Sequence, residues 1–201
     1  MFDFKPPLIL IQVILLTVQA ALYFGIQRFA GAPHRIKTRA DTRIPFLPFM
    51  IVIYFLWFPM IALFPLMVHH YFTWLYVRHL TALILDIIFS SIIYLIFPTF
   101  FRRPSPPDTV AGRLVSFVYA ADYTGKNCMP GMSCSMSFIM MFTCAALAPQ
   151  LPIVLATAVM LVCLLIIIST LLTKQHVIID IITGLIMALI CWFLADGRIL
   201  M

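Results

Sequence analysis

Ser169-Thr170-Leu171-Leu172-Thr173-Lys174-Gln175-His176-Val177-Ile178-Ile179-Asp180 is a polar interruption between two long apolar runs, and the fold is read outward from it. The flanking runs, residues 151–172 and 176–195, each approach the 20 or so apolar residues that a bilayer crossing requires. His176 and Asp180 are four apart, which on a helix puts them on one face. An ionisable pair inside a bilayer is costly and is by default a functional site. The alternative is a polar pair that joins two helices. The pair has its own chemical logic: a carboxylate on one imidazole nitrogen fixes the tautomer and leaves the other nitrogen to attack or to take a proton.

Composition extends this reading to the whole chain. Of 201 residues, 64% are hydrophobic and 10% charged, with a mean hydropathy of +1.10. A soluble domain of this size cannot hide so much apolar surface, so an integral, multi-pass membrane protein is expected. Six spans are predicted, at residues 8–24, 46–68, 75–97, 131–148, 151–172 and 176–195. They form one all-α membrane domain over residues 1–201. The first span lacks a small-residue cleavage site after its apolar run and reads as a retained helix. The five cysteines are scattered without a Cys-x-x-Cys pair, which argues against a disulfide framework and a metal site. No cofactor is expected. Cys134 is a weaker alternative nucleophile, because nothing in its neighbourhood argues for a lowered thiol pKa.

Two polar connections break the apolar pattern. Residues 28–43 carry His34, Arg35, Lys37 and Arg39 against one acid, Asp41. Such clusters mark the cytoplasmic side or attract anionic head groups. Residues 98–130 form a long loop, which in a compact domain is often functional. Pro106-Pro107-Asp108-Thr109 reads as a helix start, with Asp108 or Thr109 as cap. Val110, Leu114, Phe117 and Val118 then recur at helical spacing, as suits an interfacial helix between the third and fourth spans.

Because spans alternate in direction, the ends of the first, third and fifth emerge together. Ten of the thirteen basic residues fall on that face: Arg28, Arg35, Lys37, Arg39, Arg43, Arg102, Arg103, Arg113, Lys126 and Lys174. Clustered cations around a histidine imply an anionic, phosphorylated ligand. The positive-inside rule places this face in the cytoplasm. A pI of 9.3 does not indicate nucleic-acid binding here, since the bases lie at membrane borders. Three segments supply what phosphoryl transfer needs. Phe97-Pro98-Thr99-Phe100-Phe101-Arg102-Arg103-Pro104 brings guanidinium. Asn127-Cys128-Met129-Pro130-Gly131-Met132-Ser133 opens a helix whose free N–H groups can cradle phosphate. Thr173-Lys174-Gln175-His176 brings an ammonium and an imidazole, with Asp180 behind.

The order Arg-Pro, then Asn-Cys-x-Pro, then Ser-x6-His-x3-Asp resembles the type 2 phosphatidic acid phosphatase superfamily. The branch it is most similar to includes inositol-phosphoceramide-synthase-like proteins, with Asp41-Thr42-Arg43-Ile44-Pro45-Phe46-Leu47-Pro48 and Asp122 also matched. The resemblance covers about residues 41–195. It implies a six-helix membrane phosphatase or phosphotransferase in which His176 attacks phosphorus and forms a phosphohistidine, oriented by Asp180. Arg103, Lys174, Gly131 and Asn127 are then expected to bind phosphate. The implied partner is a phospholipid, a sphingolipid or a polyprenyl phosphate. Relatives commonly work on the outer or luminal face, against the charge balance.

The second motif departs from the family. Its Pro-Ser-x-His reads Pro130-Gly131-Met132-Ser133, so Ser133 occupies the position of the acid that protonates the leaving group. General acid catalysis is typically worth about 10²- to 10⁴-fold. Asp122 or a water could substitute, or the substrate could be a diphosphate whose leaving group needs no proton. The remaining alternative is a catalytically degenerate, lipid-phosphate-binding pseudoenzyme. A transporter fits poorly, because no Gly-rich half-helix pair marks the midplane.

Overall fold

The computed structural model describes residues 6–122, 125 and 127–196, with side chains from Leu10 onward. Lys5, Lys126 and Arg198, counted in the charge balance, lie outside the described residues. Helix α1 (Pro6–Phe29) leads into the basic connection, which holds a short strand β1 (His34–Arg35) and a one-turn helix α2 (Arg39–Arg43). The second crossing is broken into a 3-10 turn (Pro48–Met50), α3 (Ile51–Tyr54) and α4 (Trp57–Tyr71). Pro59 explains the break: it lacks the N–H that would reach the Phe55 carbonyl, which accepts instead from Phe58 N at 3.3 Å.

The chain continues through α5 (Thr73–Ile96), strand β2 (Thr99–Phe100), α6 (Val110–Ala121), α7 (Met132–Leu147), α8 (Ile153–Leu172) and α9 (Ile178–Leu194). Thr109 caps α6 by accepting from Gly112 N at 3.0 Å, which decides between the two caps that the sequence allowed. The two strands were not foreseen. They pair in parallel, His34 with Thr99 and Arg35 with Phe100, and Thr99 also bridges Asn127. This stitches both polar connections to the start of the second motif.

Five segments are long and apolar enough to cross a membrane: Leu10–Phe29, Pro48–Tyr71, Thr73–Ile96, Met132–Gln150 and Ile153–Leu172. The expected sixth, residues 176–195, is a shorter helix of 17 residues, α9. His176 and Val177 stay outside it because the Asp180 carboxylate accepts the Val177 N–H at 2.9 Å and starts the helix at Ile178. At 1.5 Å per residue α9 is roughly 26 Å long, against a hydrocarbon core of about 30 Å.

Helix α7 sits at the centre, packed by α4, α5, α8 and α9. Its small polar side chains allow close approach and satisfy themselves on the helix: Ser137 Oγ donates to Ser133 O at 2.7 Å, and Thr143 Oγ1 to Ile139 O at 2.8 Å. Around them Tyr76, Leu83, Tyr94, Met136 and Ile139 are fully buried. The buried Asp86 of α5 accepts from Ser135 Oγ at 2.7 Å, the partner that the sequence did not name. Arg78 is buried, paired with Asp196 at 3.3 Å and 4.0 Å over the Trp192 ring. Outer faces present Ile92, Leu95, Val154, Leu161 and Ile186, apolar side chains suited to lipid as solvent.

Candidate active site

The turn from α8 to α9 is wound tightly enough that Lys174 takes φ +54°, in the left-handed region that costs a side chain free energy. Gln175 N and His176 N both donate to Thr170 O, at 2.8 and 3.1 Å, and hold the turn. His176 therefore precedes the helix, and the shared helix face expected from the i, i+4 spacing does not exist. The pair still meets. His176 Nδ1 lies 3.2 Å from Asp180 Oδ2, which it reaches through the cap of α9.

The other ring nitrogen faces Ser133: Nε2 and Ser133 Oγ are 3.2 Å apart. Ser133 is the second residue of α7, whose start is fixed against α9. Gly131 N donates to Asp180 O at 3.0 Å. Gly131 thus does not offer its N–H to phosphate as expected, because the Asp180 carbonyl has taken it. A Cβ at position 131 would stand 3.1 Å from that carbonyl oxygen and 3.3 Å from the His176 ring, so the glycine permits the approach. Gly184 does the same from α9: a Cβ there would lie 3.0 Å from Gly131 O.

Ser133 and His176 line a cavity of about 360 Å³, shared with Arg103, Asp122, Asn127 and Gln175. Aromatic side chains from α1, α3, α4 and α6 extend it, among them Tyr23, Tyr54, Phe58 and Phe117. Arg103 pairs with Asp122 through Nη2 and Oδ2 and lies 4.9 Å over the Tyr119 ring. Burial opposes the charge on Arg103, but the Asp122 carboxylate outweighs it and holds the guanidinium above its ordinary pKa. Asp122 also accepts from Gln27 Nε2 at 2.9 Å. Both of its oxygens are therefore engaged as acceptors, away from His176, which makes it a poor substitute acid.

Lys174 is turned elsewhere. Its ammonium donates to Asp41 O at 3.2 Å and Ile44 O at 2.7 Å. Burial, aided by the nearby Lys37, lowers its pKa from the ordinary lysine value. It serves the loop and leaves Arg103 as the cation on the cavity wall. Asn127 lines the cavity, and its Nδ2 donates one hydrogen to Tyr23 O at 2.8 Å. Its Oδ1 and Gln175 Nε2 are buried without a partner among the described residues.

Two residues escaped the sequence reading. Gln175 lay inside the quoted stretch, and only its position beside His176 could have singled it out. Asp41 was noted as the lone acid of the basic connection, yet it is buried and anchors the site. Its Oδ2 accepts from Thr38 N and Oγ1, both at 2.7 Å, and its Oδ1 from Ile178 N at 2.9 Å. Burial pushes its carboxyl pKa up, but these donors, with Lys174 beside them, prevail and hold it below 3.8. Cys134 is fully buried with Sγ against Thr170 Oγ1. Among the described residues no three His, Cys, Asp or Glu side chains converge on a possible metal position.

A multi-pass helical bundle whose His176–Asp180 pair opens on an apolar cavity defines the class as an integral membrane protein. The PAP2 superfamily model matches residues 75–196, from the third candidate span through the His176 centre, and the chain belongs to that superfamily. Neither the curated proteins nor the solved structures contain a match. Members of the superfamily are generally phosphatases acting on lipid phosphates, so membership supports an activity of lipid-phosphatase type.

Proposed function

We propose that this chain is a six-span lipid-phosphate phosphatase or phosphotransferase that works through a phosphohistidine at His176. The observation that carries the reading is the position of the imidazole, with Nδ1 on Asp180 and Nε2 toward the cavity. In-line attack by Nε2 would form the P–N bond and break the P–O bond to the lipid; water or an alcohol would then take the phosphoryl group. Arg103 neutralises the phosphate oxygens once substrate competes with Asp122 for the guanidinium. Lys174 contributes as a structural cation. The tail would lie among the aromatic side chains of the cavity, which suits a phospholipid, a sphingolipid or a polyprenyl phosphate.

α9 is the sixth crossing in this reading, and α6 lies at the interface, where Val110 and Phe117 are both exposed on one face. The burial of Asp41 against α9 supports the inositol-phosphoceramide-synthase-like branch, whose resemblance includes that segment. The charge balance favours a cytoplasmic site. A second reading, binding without turnover, is favoured by Ser133 in the acid position and by the neutralised Arg103.

Brief incubation of the purified protein with lipid monophosphates and diphosphates, each ³²P-labelled, followed by alkaline digestion, tests the proposal. An acid-labile, alkali-stable phosphoryl group on the His176 peptide is the expected result. Tight lipid binding with no such adduct and no phosphate release would leave only the second reading.

A further inference from the structure

Ser133 Oγ, His176 Nε2, His176 Nδ1 and Asp180 Oδ2 form a series with both gaps at 3.2 Å. This is the connectivity of a nucleophilic hydroxyl, a general base and an orienting carboxylate, which is recognised by geometry and not by sequence order. With its Nδ1 hydrogen turned to Asp180, His176 presents Nε2 as acceptor for the Ser133 hydroxyl. Ser133 is also the second residue of a 16-residue helix. Its amide N–H has no acceptor within the helix and is available to a developing oxyanion.

With Arg103 paired to Asp122, the cavity also suits an uncharged substrate for this series. Arg103 and Asp122 on its wall cancel each other, and Lys174 is spent on backbone carbonyls. The aromatic extension takes an alkyl chain.

We propose that Ser133, His176 and Asp180 also form a serine-nucleophile triad that hydrolyses the carboxylic ester of an uncharged acyl lipid. Ser133 Oγ bonds to the ester carbonyl carbon while its proton passes to His176 Nε2. The tetrahedral adduct collapses, the carbon–alkoxy bond breaks, and the alcohol leaves with that proton. Water then attacks the acyl-serine and gives a proton to Nε2. The fatty acid departs, and the proton returns to Ser133. No oxidant, metal or second substrate enters. This activity goes beyond the phosphoryl-transfer reading and does not depend on it.

The test uses full-length protein in detergent micelles, with monooleoylglycerol as substrate and a fluorophosphonate as probe. Fatty-acid release is expected, together with a probe adduct on the peptide that contains Ser133. Ser133→Ala should lower both by at least about 100-fold. If Ser133→Ala aggregates, Ser133→Cys decides: an acyl thioester labile to hydroxylamine is expected at that position, and its absence in a monodisperse variant overturns the proposal. No release by native protein, release that survives Ser133→Ala, or an adduct on His176 overturns it as well. The ³²P experiment above is read separately, so phosphohistidine without ester turnover would end this inference alone, and ester turnover without phosphohistidine would end the other alone.

Discussion

Replacing Asp41 with Asn should destabilise the protein. The native carboxylate accepts three hydrogen bonds, from Thr38 N, Thr38 Oγ1 and Ile178 N. Asparagine can keep Ile178 on its carbonyl oxygen, but it turns an NH₂ toward the Thr38 N–H, donor against donor. Hydrogen bonds to charged groups contribute about 1.5–3 kcal/mol each. Losing one outright, and the charge from the others, predicts a cost of about 2–4 kcal/mol. For a chain of this length that corresponds to a fall of about 5–15 °C in Tm. The five buried free cysteines supply the assay, since a thiol-reactive dye reports their exposure on heating in detergent. The sign of the pH dependence follows from the depressed pKa of Asp41. A carboxyl that is more acidic folded than unfolded stabilises the fold above its unfolded value, near 3.8, and that stability is lost as pH falls through the folded value. The gap between native protein and Asp41→Asn should therefore be full at pH 7 and close on acidification. A variant within 2 °C of native (about the assay's scatter for a loss under 1 kcal/mol), or a gap that persists at low pH, would refute the reasoning.

Asp180→Asn should keep the cap by leaving its amide oxygen on Val177 N and His176 Nδ1, and should lower turnover by at least about tenfold, because a neutral oxygen no longer stabilises the charge that develops on the ring; phosphate-release kinetics on monodisperse protein measure it, and a loss under tenfold counts against the pair. Diphosphate lipids should turn over faster than monoesters, since a departing phosphate needs little protonation. Ser133→His should raise monoester turnover and abolish ester cleavage, and a change of both in one direction would contradict the two roles given to that position. A single cysteine at Thr38, in a background without native cysteines, should be shielded from an impermeant reagent outside the cell, and one at Phe72 reactive; the reverse pattern places the site on the outer or luminal face.

The apolar runs and their polar breaks are long-range averages of composition, and they were legible in the sequence to within a few residues, as Thr73–Ile96 against 75–97 shows. Ends set by a single hydrogen bond were not. The start of α9 depends on whether the Asp180 carboxylate faces Val177 N–H or projects along a helix, and residue spacing is the same in both cases. The pair was thus identified on a wrong geometry, a helix face where the structure has a cap. Arg103 lines the cavity, yet its partner Asp122 lies 19 residues away across α6, a distance no local pattern spans. Lys174 and Gly131 have the right chemistry for phosphate, but each is committed to a backbone carbonyl, and such commitments exist only after the chain has folded. The strands β1 and β2 are two residues each, too short for alternation to signal them.

The position of His176 is set almost entirely by groups that cannot touch substrate. Its turn hangs from Thr170 O, the following helix starts on the side chain of Asp180, and Ile178 N is tied to Asp41. Lys174 ties the same turn to Asp41 O and Ile44 O. Every one of these bonds joins the last polar turn to itself or to the first basic connection, and β1 joins that connection to β2 and so to Asn127. The basic residues that a topology rule reads as markers of sidedness therefore flank a scaffold that aims the imidazole. Charge in that connection and geometry at His176 are coupled through Asp41. Anionic lipid bound at Arg35, Lys37 or Arg39 would load a segment that is hydrogen-bonded, through Asp41, to the backbone two residues after His176.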